Sequence, residues 1–216
     1  MANDQLSLYN RALTRHLGER KLASLTENRE PRRVLDDVWP DAIKYCLEQG
    51  QWKFALRTSK LTYSPSVDPE FGCQRGFEKP DDCVRLVKMC SDEYLDQPLL
   101  RYAEEANWWF CDLDDIYVSY VSNSIDFGGD YANWPETFAR FVALHLADST
   151  GLRITQSERT LENITKDLKT AKKDALSKDA LQGPTQFLPQ GSWLNARRGG
   201  RNSSRYDGGS RRQLIG

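Results

Sequence analysis

The chain has 216 residues, 39% hydrophobic and 28% charged, with a formal net charge of -1. That length suits one domain with an appendage, and the near-neutral total excludes a polyanion binder defined by bulk charge. No stretch approaches the ~20 continuous apolar residues of a membrane helix, and the opening MANDQLSLYN lacks a secretory signal's basic-then-apolar order. A protein made in a cytosol, remaining soluble and making no membrane contact, is expected.

Residues 4–17 read as a helix. Leu6, Tyr9, Leu13 and Leu17 make an apolar stripe, Asn3 or Asp4 can cap the start, and Gly18 can end it. Leu22 and Leu25 then anchor a short connection. A second helix is predicted over 31–49, with Val34, Leu35, Val38, Trp39, Ala42, Ile43 and Leu47 on its buried face. Pro40 inside that pattern predicts a kink or a two-part helix. Residues 52–62 follow Gly50, partly alternate, and read as a first strand.

The middle, 63–133, is punctuated by Pro65, Pro69, Gly72, Gly76, Pro80 and Pro98. Strand candidates are Cys83–Met89, Leu99–Ala103, Asn107–Cys111 and Ile116–Val121, with turns at Glu104–Ala106 and Asp114-Asp115. Trp108 and Trp109 must point to opposite faces of a strand. Packing under a covering helix and exposure at a subunit or tail contact both remain open for them. A third helix is predicted over 135–150, buried through Phe138, Phe141, Val142, Leu144 and Leu146, with Pro135 at its first turn. A fourth spans 155–178, capped by Thr155 or Ser157, with Leu161, Ile164, Leu168, Ala171, Ala175 and Leu176 at spacings of one to four.

The periodicity stops after Ala180. Residues 183–216 hold seven of the 14 glycines, six arginines (Arg197, Arg198, Arg201, Arg205, Arg211, Arg212), one acid (Asp207) and no lysine. This arm carries +5, leaving -6 on residues 1–182. Such a composition cannot offset its own ordering entropy in water. Phe187, Leu188, Trp193, Leu194, Tyr206, Leu214 and Ile215 are nevertheless spread through it, which suits an arm that orders on a partner.

Catalytic signatures are not found. There is no G-x-S-x-G, Walker loop or H-E-x-x-H. Gly128-Gly129 and Gly199-Gly200 do not sit between a strand and a helix with the lysine that a phosphate loop needs. His16 and His145 read as helix residues without a nucleophile partner. Asp81, Asp82, Asp112, Asp114 and Asp115 read as turn residues, since a calcium loop would need D-x-D-x-D-G. Glu104 or Glu105 with Asp112 could form a carboxylate pair for glycoside cleavage, but nothing in the sequence fixes their separation. Cys46, Cys73, Cys83, Cys90 and Cys111 are odd in number and form no C-x-x-C pair, so free thiols are expected. The expectation is a non-enzyme with no cofactor and no metal.

Four segments carry a resemblance. They are Ala12-Leu13 to Leu17-Gly18 with Ser24-Leu25, Trp52-Lys53-Phe54-Ala55, the turn Pro80-Asp81-Asp82 leading into Cys83-Val84-Arg85-Leu86, and Trp193-Leu194-Asn195-Ala196-Arg197. In order and spacing the chain resembles the head-to-tail adaptors of tailed bacteriophages, those like tail tubular protein A. The resemblance implies an α+β fold: a four-helix bundle formed by both chain ends, a small antiparallel β insertion and an extended C-terminal arm. The corresponding division is 1–62 (N-terminal helices and first strand), 63–133 (β insertion), 134–180 (C-terminal helices completing the bundle) and 181–216 (basic arm).

The resemblance also implies a function. A ring of twelve copies would join the portal protein to the tail nozzle or tail tube protein, and DNA would pass through its channel without sequence readout. The place would be the virion's head–tail junction, and the host cytoplasm during assembly. The arm, through Phe187, Leu188, Trp193, Leu194, Arg197, Arg198, Arg201, Arg205, Tyr206, Arg211, Arg212, Leu214 and Ile215, would be the portal anchor. The main alternative is a nucleic-acid-binding protein that tracks phosphates with its arginines and stacks bases on Trp193 and Tyr206. A wall-cleaving hydrolase is the enzyme alternative.

Overall fold

A computed structural model of the protein describes residues 3–67, 69 and 72–183. The first helix, α1 (Gln5–Arg11), begins with a reciprocal cap: the Leu6 N–H donates to Asp4 Oδ1 at 2.7 Å, and the Asp4 N–H to Ser7 Oγ at 3.0 Å. It widens into a π-helical turn over Ala12–Leu17 and ends at Gly18, whose φ of 69° a glycine adopts without strain. Leu8, Ala12 and Leu17 are all buried. Their steps of four and then five would rotate Leu17 off the face at a 3.6-residue pitch, and the wider turn returns it.

The second helix, α2 (Glu30–Glu48), is continuous. The two-part helix that Pro40 allowed is not found. Pro40 stands on the exposed face, where the forfeited hydrogen bond costs least. The segment after it opens as a 3₁₀ turn, Lys53–Ala55, so the first strand, β1 (Leu56–Thr62), starts later than expected.

Five further strands follow among the described residues: β2 (Arg75–Glu78), β3 (Cys83–Cys90), β4 (Ala103–Glu105), β5 (Trp108–Cys111) and β6 (Asp115–Ser122). They form two antiparallel three-stranded sheets, ordered β1-β6-β3 and β2-β5-β4. The strand predicted over 99–103 is instead a bridge between Cys90 and Pro98, with the Leu99 N–H donating to the Met89 carbonyl. Glu104 and Glu105, predicted as a turn, lie in β4. The hairpin turn is Ala106-Asn107, with Ala106 at a φ of 45°. Asp115 opens β6 rather than a turn.

The larger sheet has an apolar residue set on each face. Leu56, Val84, Val87 and Val121 pack into the helical core, while Leu61, Leu86, Met89, Ile116, Val118 and Tyr120 pack with Phe77, Trp109 and Cys111 of the smaller sheet. Strand β3 serves both faces through register shifts between Cys83 and Arg85 and between Leu86 and Lys88. Each shift resets the alternation, so Cys83, Leu86 and Met89, three apart, all face the smaller sheet.

Two further helices among the described residues are α3 (Glu136–Thr155) and α4 (Glu158–Leu181). Ser157 caps α4 by accepting the Thr160 N–H. The expected four-helix bundle formed by both chain ends is not found; the arrangement is an α+β mix. Helix α3 is the hub, buried over most of its circumference from Phe138 to Gly151, and the π turn, α2 and α4 each pack principally against it. The apolar stripe of a helix needs cover, but not helical cover. Part of that cover here is the sheet face of Leu56, Val84, Val87 and Val121. No helix among the described residues is long and apolar enough to cross a membrane.

Candidate functional site

Two features stand out among the described residues. The first is the joint between the helices and the larger sheet. Trp52 is buried, donates from Nε1 to the Cys46 carbonyl at 2.9 Å, and meets the Phe138 ring edge-on at 4.7 Å. Beside it, Lys53 ties down the C-terminus of α4. Its N–H donates to Asp179 Oδ1 at 3.0 Å, and its Nζ to the Asp179 and Ala180 carbonyls.

On the sheet itself, the turn closed by the Cys83 N–H and the Pro80 carbonyl holds Asp82 over β1 and β6. Asp82 accepts from Arg57 Nη1 at 2.9 Å, from the Tyr120 hydroxyl at 3.1 Å and from Ser122 Oγ. Burial alone would raise its pKa. The hydroxyls of Ser122 and Tyr120 and the Arg57 guanidinium outweigh that and hold the carboxyl below its ordinary value. Burial, and then the neighbouring Asp82 charge, push the Tyr120 hydroxyl up to about 12.

Asp82→Ala leaves two buried hydroxyls without their acceptor and should cost about 2 kcal/mol of stability at neutral pH, read by urea denaturation. A depressed folded-state pKa gives stability that is full above the unfolded carboxylate value and lost as pH falls through the folded value. The difference between wild type and Asp82→Ala should therefore shrink below about pH 4. A difference that stays constant down to pH 2 would contradict this.

The second feature is a cleft of about 540 Å³ in the β half, within the usual size range of ligand clefts. One wall is the whole run Cys83–Met89. Side chains alternate along a strand, so seven consecutive lining residues mean that the cleft follows the backbone edge of β3. The other walls are Pro98, Leu99, Tyr102, Glu104, Lys79 and Trp109. Lys79 Nζ donates to Glu104 Oε1 at 2.7 Å and to the Ala106 carbonyl at 2.6 Å. Arg85 and Lys88 are exposed; Arg85 Nη1 donates to the Glu48 carbonyl at 3.0 Å and Lys88 Nζ to the Leu95 carbonyl, and neither has a carboxylate partner among the described residues.

Of the residues singled out in the sequence, Trp109 is buried between the sheets and lines the cleft, while Trp108 is half-buried on the opposite face of β5. The arm residues Phe187, Leu188, Trp193, Leu194, Arg197, Arg198, Arg201, Arg205, Tyr206, Arg211, Arg212, Leu214 and Ile215 lie outside the described residues. His145 is half-buried and stacked on Tyr45 at 4.4 Å; burial holds its pKa low. Asp112, Asp114 and Asp115 are each engaged locally, by the Gln74 N–H, by Arg75, and by Lys60 and Thr62. All five cysteines are free thiols; Cys46, Cys90 and Cys111 are buried. Among the described residues no acid, histidine and cysteine cluster could hold a metal ion.

The sequence reading missed the Asp82 network and the cleft. The partners of Asp82 lie 25, 38 and 40 residues away, with no local signal. The cleft had one faint signal, Arg85 and Lys88 on a strand otherwise rich in apolar residues. No family model matches the chain, and no curated protein matches it.

Proposed function

We propose that this protein is a structural head-to-tail adaptor of a tailed bacteriophage, one copy in a ring that joins portal to tail and surrounds the exiting DNA. The observation that carries the reading is the ordered run of adaptor-like segments, Ala12–Leu25, Trp52–Ala55, Pro80–Leu86 and Trp193–Arg197. The packing of the first three supports it. The π turn seats α1 on α3, Trp52–Ala55 links α2, α4 and β1, and Pro80–Leu86 ties β3 to β1 and β6. These are joints on which the arrangement of helices and sheets depends.

The arm then supplies the anchor. Thirty-four residues extend to at most roughly 110 Å, enough to cross a subunit and its neighbour. Phe187, Trp193, Tyr206, Leu214 and Ile215 enter apolar pockets of the portal or add to a sheet edge. The arginines form bidentate pairs with its carboxylates, a geometry lysine cannot match. The -6 carried by residues 1–182 repels other copies at low salt. The isolated protein is therefore monomeric, and rings form on the portal.

Removing 184–216 tests this. The chain ending at Gly183 should keep its circular dichroism and thermal transition and lose co-sedimentation with the portal ring, and Trp193→Ala in the full chain should weaken binding by about 2 kcal/mol. Portal affinity unchanged by the deletion would overturn the arm's role. Arm-dependent, steeply salt-sensitive retardation of DNA with no portal binding would favour the nucleic-acid reading.

A further inference from the structure

We infer that the cleft along β3 receives an extended, acidic polypeptide segment of a partner protein, which adds a fourth strand to the β1-β6-β3 sheet. The inference stands on the cleft and is independent of the adaptor reading.

Strand β3 is the outer strand of its sheet. Among the described residues its far end is covered, where Cys90 bridges Pro98 and the Leu99 N–H donates to the Met89 carbonyl. Along Cys83–Lys88 no other strand is paired to that edge among the described residues. An uncovered edge presents backbone donors and acceptors that bind another strand in register. Proteins commonly cover such edges or crowd them; here a cleft of 540 Å³ is kept open beside it.

One residue of the cleft wall carries an unmet donor. Trp109 is 1% exposed and its indole Nε1–H has no acceptor among the described residues. Buried indole donors normally find a partner. An added strand that shifts the Trp109 wall would bring a carbonyl or carboxylate within reach of this donor.

Charge selects the occupant. The lining holds Lys79, Arg85 and Lys88 against Glu104, and Glu104 already pairs with Lys79. The composition of residues 183–216, six arginines and one acid, does not match a cleft that selects carboxylates. The other outer strand of the sheet, β1, carries no acid, and its Arg57 and Lys60 already pair with Asp82 and Asp115, so the same edge of a second copy offers no carboxylate to the cleft. A second β3 edge would meet like charge again. What fits is a strand with carboxylates at alternate positions, facing Arg85 and Lys88 across the cleft rim.

The test uses the full chain and three capped eight-residue peptides: alternating valine and glutamate, alternating valine and lysine, and the glutamate peptide with alternate amides N-methylated. Binding is read by calorimetry, and the site by amide hydrogen exchange over residues 83–88. The glutamate peptide should bind and slow exchange there. The lysine and N-methylated peptides should bind at least about tenfold more weakly, and Arg85→Glu with Lys88→Glu, checked for fold by circular dichroism, should reverse the charge preference. No binding of the glutamate peptide at millimolar concentration would overturn the inference. So would equal binding of the N-methylated peptide, or a single-stranded oligothymidylate protecting residues 83–88 more strongly than any peptide.

Discussion

Trp52→Ala should lower the unfolding free energy by about 4 kcal/mol, at the upper end of aromatic-to-alanine truncations. Trp52 is 1% exposed and lies where α2, the 3₁₀ turn, α3 and α4 converge. Its ring meets Phe138 at 4.7 Å, with Phe54 and Phe141 at 6.2 and 6.3 Å, and Leu176 reaches the same spot over Gly50. Truncation removes those contacts and leaves the Cys46 carbonyl without its donor. The elements around the void are held by their own backbone bonds and cannot collapse into it. The midpoint of guanidinium unfolding should fall with little change in slope. A loss below about 1.5 kcal/mol would mean that the joint repacks freely, and would remove Trp52 from its central place.

Gly128→Ala should cost about 3 kcal/mol or more, although it adds only a methyl group. A Cβ at Gly128 would lie 2.2 Å from the Ser122 carbonyl oxygen, with Ala55 Cβ at 3.1 Å and Leu47 Cδ2 at 3.2 Å. The first neighbour is backbone and cannot swing aside. It is also bonded, since Ser122 O accepts the Gly128 N–H at 3.2 Å. On the other side the Gly128 carbonyl accepts Trp134 Nε1 at 2.8 Å. The loop from β6 to α3 is thus fixed at both faces of one glycine, and relief of the clash must break one of these bonds. Thermal unfolding should show the loss. A melting temperature within 2 °C of wild type would contradict the close approach, since about 3 kcal/mol shifts it by several times that amount in a domain of this size.

The local features of the helices were readable because caps and stripes are short-range signals. Asp4, Gly18, Ser157 and the Ile164, Ala171 and Ala175 face all lie where the residue pattern puts them. What stayed hidden was the cover for each stripe. Apolar residues on a helix look the same whether they meet another helix or a sheet, so the pattern could not test the bundle that the resemblance implied, and the contact of α2 with β3 was not legible. In β3 the bulges turn a period of two into a period of three, which no alternation rule would detect. Arg75–Glu78 offers one large apolar residue in four, too little to mark β2. Of the candidate site, the arm's composition was readable at once because composition is not positional. The Asp82 network and the β3 cleft exist only through pairing between distant segments.

The measurement that bears most directly on the adaptor proposal is electron microscopy of the full chain mixed with the portal protein of the same phage. The proposal predicts portal particles that gain an added ring on one face, with twelve copies in the class averages, while the protein alone shows no rings. Portal particles left unchanged at saturating protein, with the chain monomeric beside them, would contradict it.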